Sequence, residues 1–164
     1  MNSFVAAATI NEREYSIKAA FIANFVRYTR WSTFDNEQFR FCVSNQAVNA
    51  VFVNRLADET WFDRKPVFTL VDDTDSISCD LLFIDKDSSA QWRNHLEHHP
   101  PTNMLIISES RGMSQAVSHI NFFFADNKLR FEINTSRVEN SHLTINASLL
   151  RLARITSTAE VAND

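Results

Sequence analysis

One glycine, Gly112, serves a chain of 164 residues, where average usage of about 7% would give roughly eleven. Dinucleotide fingerprints and phosphate-cradling loops need two or three glycines in one tight turn, so that the backbone reaches a pyrophosphate with no Cβ in the way. Neither can be built here, and the G-x-S-x-G elbow of a hydrolase is excluded with them. The remaining composition is ordinary, at 45% hydrophobic and 22% charged, and predicts one soluble globular domain of usual size. With 16 Lys+Arg against 20 Asp+Glu, a net charge of -4 and no basic stripe, the chain lacks the clustered cations that a nucleic-acid partner requires. The longest uncharged apolar runs, 81–84 and 120–125, fall far below the ~20 residues that span a bilayer, so the domain is not membrane-embedded. Small residues at Ala6, Ala7 and Ala8 resemble those ahead of a signal-peptidase cut, and residues 1–10 are expected to be a flexible signal-peptide remnant. Phenylalanine is in excess, with 14 against 2 Tyr and 3 Trp. That predicts a Phe-rich core, the other use being a surface patch that binds something.

Hydrophobic spacing orders the chain. Residues 11–30 place Tyr15, Ala19, Ile22 and Val26 on one helical stripe and Ile17, Phe21, Phe25 and Tyr28 on the next. Asn11 is available as N-cap, with Glu12 and Glu14 in the first turn and Arg27 and Arg30 in the last. A long helix is expected there. Residues 38–44 alternate as a strand, 46–58 read as a helix, 66–70 as a short strand and 72–78 as an acidic loop. The apolar runs 79–84 and 104–108 suit strands covered on both faces, separated by a short helix over 87–96. A weak helix over 113–117 leads to a hairpin of 120–125 and 129–133 around Ala125-Asp126-Asn127-Lys128. Residues 135–140 and 147–155 read as helical, and the tail 156–164 is expected to be flexible. Strands alternating with helices imply a single three-layer α/β domain over 11–155. Its sheet is mostly parallel, of five to six strands, ends in a C-terminal antiparallel hairpin and carries helices on both faces.

Few constellations suggest chemistry. His95, His98 and His99 stand at i, i+3 and i+4, a spacing that can present two imidazoles to a metal. Pro100 and Pro101 end the helix there, however, and Glu97 lies on the wrong side, so the commoner role is to complement the helix dipole. No metal or cofactor is expected. Asp85 follows a predicted strand, where α/β sheets place ligands, although a carboxylate there more often caps the next helix. Ser44, Asp85 and Ser108 would together line the pocket of a small-ligand receptor. Cys42 and Cys79 are the only cysteines. An even count favours a bond in an oxidising compartment, but treating both as strand residues offsets them by roughly 7–13 Å at 3.3 Å per residue. A disulfide needs Cα atoms within about 7 Å, which leaves two buried free thiols as the alternative.

Three stretches together resemble the YfiR-like family of periplasmic proteins. They are Lys18-Ala-Ala-Phe-Ile-Ala-Asn-Phe-Val-Arg-Tyr-Thr-Arg-Trp31, Arg130-Phe-Glu-Ile-Asn134 and Ser148-Leu-Leu-Arg-Leu-Ala153, and the likeness runs over roughly 14–154. Cys42 and Cys79 match a cysteine pair of the family's namesake, which implies the disulfide. The resemblance further implies an export signal, a periplasmic location and a non-enzymatic repressor. In that family the repressor holds the periplasmic sensor of an inner-membrane diguanylate cyclase (YfiN-like), until an outer-membrane lipoprotein (YfiB-like) sequesters it. Two features depart from the pattern: no second cysteine pair lies in 111–124, and Ser32 stands where the family usually has proline.

Such a repressor needs an interface, and aromatics and arginines dominate hot spots. The candidates are Arg27, Tyr28, Arg30 and Trp31 at the helix exit, with Arg130, Glu132, Asn134 and Arg151 from the closing motifs. Each has a structural alternative: Trp31 plugging the core, and Glu132 pairing with Arg151. Homodimerisation is left open, and a hydrolase is the remaining rival.

Overall fold

The first helix, α1 (Glu12–Arg27), begins where Asn11 accepts a hydrogen bond from the Glu14 amide at 3.0 Å, meeting one of the donors a helix start leaves free. The computed structural model describes residues 10–72 and 78–158. The alanines at 6–8, most of the acidic loop and the tail from 159 lie outside them. The expected helix over 11–30 stops three residues early, because the Thr29 hydroxyl donates to the Phe25 carbonyl at 2.7 Å and the chain extends into β1 (Thr29–Trp31). There follow β2 (Phe39–Val43), α2 (Gln46–Leu56), β3 (Pro66–Leu70), β4 (Leu81–Ile84), a 3-10 turn (Lys86–Ser88), α3 (Ser89–His98), β5 (Leu105–Ser108), α4 (Met113–Ala116), β6 (Ile120–Ala125) and β7 (Lys128–Asn134). The chain closes with α5 (Thr135–Glu139), β8 (Leu143–Ile145), α6 (Ala147–Leu150) and β9 (Arg154–Thr156).

Seven strands form the main sheet in the order β3-β2-β4-β5-β6-β7-β9, one more than the upper expectation. Its pairs are parallel except the hairpin of β6 and β7. Asp126 and Asn127 turn that hairpin at φ 53° and 62°, the left-handed pair that a two-residue turn demands. A separate two-stranded antiparallel sheet joins β1 to β8, and nothing in the local pattern had announced it. The helix expected over 147–155 is also corrected. It ends at Leu150, and Arg154–Thr156 run parallel to Glu132–Asn134 instead. β-Branched Ile155 and Thr156 suit a pleated edge.

The phenylalanines do form the core. Phe25, Phe39, Phe41, Phe52, Phe83 and Phe122 are buried between the sheet, α1 and α2, with ring centroids 4.8 Å apart for Phe25 and Phe131 and 5.0 Å for Phe52 and Phe83. α3 and α4 cover the opposite face through Trp92, Leu96 and Met113. On that face Cys42 and Cys79 are bonded, with Cα atoms 6.0 Å apart. The expected offset vanishes because β4 starts only at Leu81, so Cys79 belongs to the approach rather than to the strand. Asp80 anchors that approach: its carboxylate accepts from the Arg40 amide at 2.8 Å and pairs with the Arg40 guanidinium at 2.9 Å.

His119, 1% exposed at the start of β6, locks the amino ends of the central strands. Its Nδ1 accepts from the Ile106 amide at 2.9 Å, which leaves Nε2–H to donate to Ser141 Oγ at 2.8 Å. Burial, assisted by Arg137, holds its pKa down at about 3, so the folded ring stays neutral. Above pH 6.5 the unfolded ring is neutral too and stability is complete. Below 6.5 only the unfolded state binds the proton, and stability falls by about 1.4 kcal/mol per pH unit. Between pH 6.5 and 5 that is a loss of about 2 kcal/mol. Urea unfolding of the wild type and of His119→Asn at both pH values measures it; equal pH dependence in the two proteins refutes the assignment.

Candidate functional site

Beyond the carboxyl end of β5 and along β6 the surface opens into a cleft of about 600 Å³, lined by Lys18, Glu109, Arg111, Gly112, Gln115, Asn121, Phe122–Ala125, Glu132 and Arg154. Gly112 sits at its edge with φ +84°, where an added Cβ would meet no atom within 4 Å. The left-handed backbone ahead of α4, not crowding, is what calls for glycine there.

Two charge clusters shape the cleft. On the α1 side, Lys18 donates to Glu109 Oε1 at 2.7 Å, both side chains being 3% exposed, and also pairs with Glu14. Glu109 Oε2 accepts from the Tyr15 hydroxyl at 2.7 Å and from the Lys86 amide at 2.9 Å. Burial and the adjacent Glu109 push the Tyr15 phenol far above its ordinary pKa, so it remains a donor. The Lys18 ammonium also lies 4.7 Å from the Tyr15 ring centroid and 5.6 Å from that of Phe122, a cation–π arrangement.

On the other side of the sheet Glu132 is 2% exposed. It accepts from Ser114 Oγ at 2.6 Å and Asn121 Nδ2 at 3.2 Å, and pairs with Arg154. Burial alone raises its pKa, but hydrogen bonds from Ser114, Arg154 and Asn121 outweigh it and hold the carboxyl below the usual range. The Arg154 guanidinium stacks on Phe123 at 3.9 Å. Behind this group, Ser108 Oγ bridges Ser118 Oγ at 2.6 Å and Asn121 Oδ1 at 2.7 Å. Each acid thus meets donors from the protein itself, an arrangement that fixes strand ends and leaves polar rims for contact.

The residues nominated by sequence divide into two groups. Arg27, Tyr28 and Arg30 lie exposed together at the exit of α1, Tyr28 at 42%. Arg130 on β7 and Arg151 after α6 are also exposed. Trp31 is buried, its Nε1–H donating to the Asp80 carbonyl at 3.0 Å. Asn134 is buried too: it caps α5 through the Arg137 amide at 3.0 Å, and its Nδ2 donates to the Ser114 carbonyl at 2.7 Å. The expected pairing of Glu132 with Arg151 is replaced by Glu132 with Arg154, because β9 brings Arg154 opposite Glu132 in register; Arg151 bonds Ser148 instead.

The receptor pocket expected at Ser44, Asp85 and Ser108 does not coincide with the cleft. Asp85 accepts from Ser44 Oγ at 2.6 Å, Asn45 Nδ2 and the Asp87 amide, so it caps the next turn, and Ser108 is fully buried. Near the end of α3, His95 and His99 stack at 4.8 Å, and no group of three metal-ligating side chains occurs among the described residues. Sequence reasoning missed Lys18 and Glu109 as a site. The signal was present in Lys18, which falls on the Tyr15–Ile22 stripe, where a charge implies a buried partner.

Among curated proteins none matches the chain. A family profile described as YfiR/HmsC-like matches residues 15–154, a span running from the Tyr15 of the α1 cluster to the Arg154 that pairs with Glu132. On that match the chain belongs to the YfiR/HmsC-like family.

Proposed function

We propose that the protein is a periplasmic, non-enzymatic regulator. It binds the periplasmic sensor of a membrane-bound diguanylate cyclase and lowers cyclic-di-GMP synthesis until a lipoprotein partner sequesters it. The family match over 15–154 carries this reading. The Cys42–Cys79 bond supports an oxidising compartment, and no helix among the described residues is long and apolar enough to cross a membrane.

The contact surface is the exposed Arg27, Tyr28 and Arg30 at the α1 exit; the exposed Arg130 on β7 and Arg151 after α6 are further candidates. Repression is a population shift: the regulator binds one state of the sensor more tightly, and its leverage equals that difference in affinity. Co-expression with the periplasmic part of a membrane-bound diguanylate cyclase from the same genome tests the reading, with association and cyclic-di-GMP output as readouts. No association, together with unchanged output on deletion, sinks it. Within a working complex, Tyr28→Ala with Arg30→Ala is expected to weaken association at least tenfold, as loss of a hot spot does. Thermal stability should not change, since both side chains are exposed. Calorimetry of the complex and melting of the free variant measure the two effects.

A further inference from the structure

We propose that the cleft takes an extended peptide segment of a partner protein, which adds a strand to the free edge of β6 and places an acidic side chain against Arg111. β5 ends at Ser108, and its last pairing with β6 joins Ser108 to Asn121. β6 runs on to Ala125 with only β7 beside it. The stretch 122–125 thus has one paired side and one open side, and these residues form one wall of the cleft of about 600 Å³. Its occupancy does not depend on the contact surface at the α1 exit.

The register fixes which main-chain groups are free. The turn at Asp126 and Asn127 closes on Ala125 and Lys128, and the closing pair of a two-residue turn is hydrogen-bonded. Counting back by twos, Phe123 and Asn121 also bond β7, while Phe122 and Phe124 point their N–H and C=O the other way. Past the last residue paired with β5, the Phe122 carbonyl and both groups of Phe124 have no partner among the described residues. An unpaired row of this kind is a template for another strand. The Phe124 ring is 57% exposed, with the Lys18 ammonium 5.7 Å from its centroid. A strand laid along 122–125 covers that ring through cross-strand contact.

The charge of the occupant follows from the rest of the lining. Lys18 pairs with Glu109 and Arg154 with Glu132. Arg111 is exposed and has no hydrogen bond or ion pair among the described residues. A carboxylate on the incoming strand meets that guanidinium. A free small anion would answer Arg111 and leave the β6 groups unmet, whereas a peptide brings donors and acceptors at strand spacing. At about 30 Å³ for each water, the cleft has the space of roughly twenty waters, enough for a few residues in extended form.

The test uses the full chain and the blocked peptide acetyl-Thr-Val-Glu-Val-Thr-amide, with its Gln-for-Glu counterpart as control. In ¹H–¹⁵N spectra the Phe124 amide is expected to shift saturably with the Glu peptide, and its hydrogen exchange to slow at least about tenfold. In calorimetry the Gln peptide on the wild type, and the Glu peptide on Arg111→Gln, should each bind about tenfold more weakly. Two further peptides, N-methylated on alternate amides, separate strand addition from side-chain contact: a strand presents one edge, so one version keeps its affinity and the other loses it. A Phe124 amide unmoved at millimolar peptide overturns the proposal, as do equal affinities of the Glu and Gln peptides or like responses to the two methylated versions. A peptide-free chain that sediments as a dimer with the Phe124 amide already protected also overturns it, by giving the edge to a second copy. The Gln peptide reads the same contact on the wild type, so the result stands even if the variant fails to fold.

Discussion

Glu109→Ala is expected to lower the unfolding free energy by about 3–5 kcal/mol, the cost of removing one partner from a buried ion pair. The pair is Lys18 with Glu109 at 2.7 Å, each side chain 3% exposed. Truncation leaves the ammonium with only the partly exposed Glu14, and it also takes away the acceptor of the Tyr15 hydroxyl and the Lys86 amide. The ammonium and the Tyr15 hydroxyl belong to buried residues, where water cannot replace Glu109 cheaply. Lys18→Met with Glu109→Leu removes both charges and fills similar volume, so the double variant should recover most of the loss. Urea unfolding of the wild type, Lys18→Met, Glu109→Leu and the double variant completes the cycle, with Glu109→Ala measured beside them. A cost below about 1 kcal/mol for Glu109→Ala, the value of a surface pair, would show that the two charges are solvated in solution and that the cleft is more open than the distances indicate.

Much of the fold was legible because its signals are local. Asn11 followed by Glu12 and Glu14 marked the start of α1. The alternation of Phe39, Phe41 and Val43 marked β2, and Asp126 with Asn127 marked the hairpin turn. The three-residue strands were not legible, since each owes its conformation to a partner far along the chain. Thr29–Trp31 extend only because Leu143–Ile145 lie beside them, and Arg154–Thr156 only because Glu132–Asn134 do. Read alone, both stretches continue a helical pattern, and long-range pairing overrides that preference. The same limit applies at the candidate site. Motif residues could be named, but burial, which sets Arg30 on the surface and Asn134 in the interior, depends on which strand covers which. Glu109 sits in no pattern at all and is distinguished only by the lysine it meets from α1.

Reduction of the Cys42–Cys79 bond is expected to lower stability by about 4 kcal/mol, the loop-closure entropy for a separation of this length. The cysteines are 37 residues apart, and the enclosed chain contains α2 and β3, the edge strand of the sheet. In the unfolded state the bond removes most of the separations that these residues would otherwise explore. In the folded state it adds little that is not already held: Asp80, next to Cys79, pairs with Arg40 on β2, and its amide donates to the Arg40 carbonyl at 2.8 Å. The effect should therefore appear as a lower urea midpoint for Cys42→Ala with Cys79→Ala, while the native fold is retained. The melting temperature should fall by roughly 10–15 °C for a domain of this size. A loss of less than about 1 kcal/mol would mean that the reduced chain keeps β2 and the 78–80 segment together even when unfolded, and that the bond merely duplicates a contact already present in the denatured ensemble.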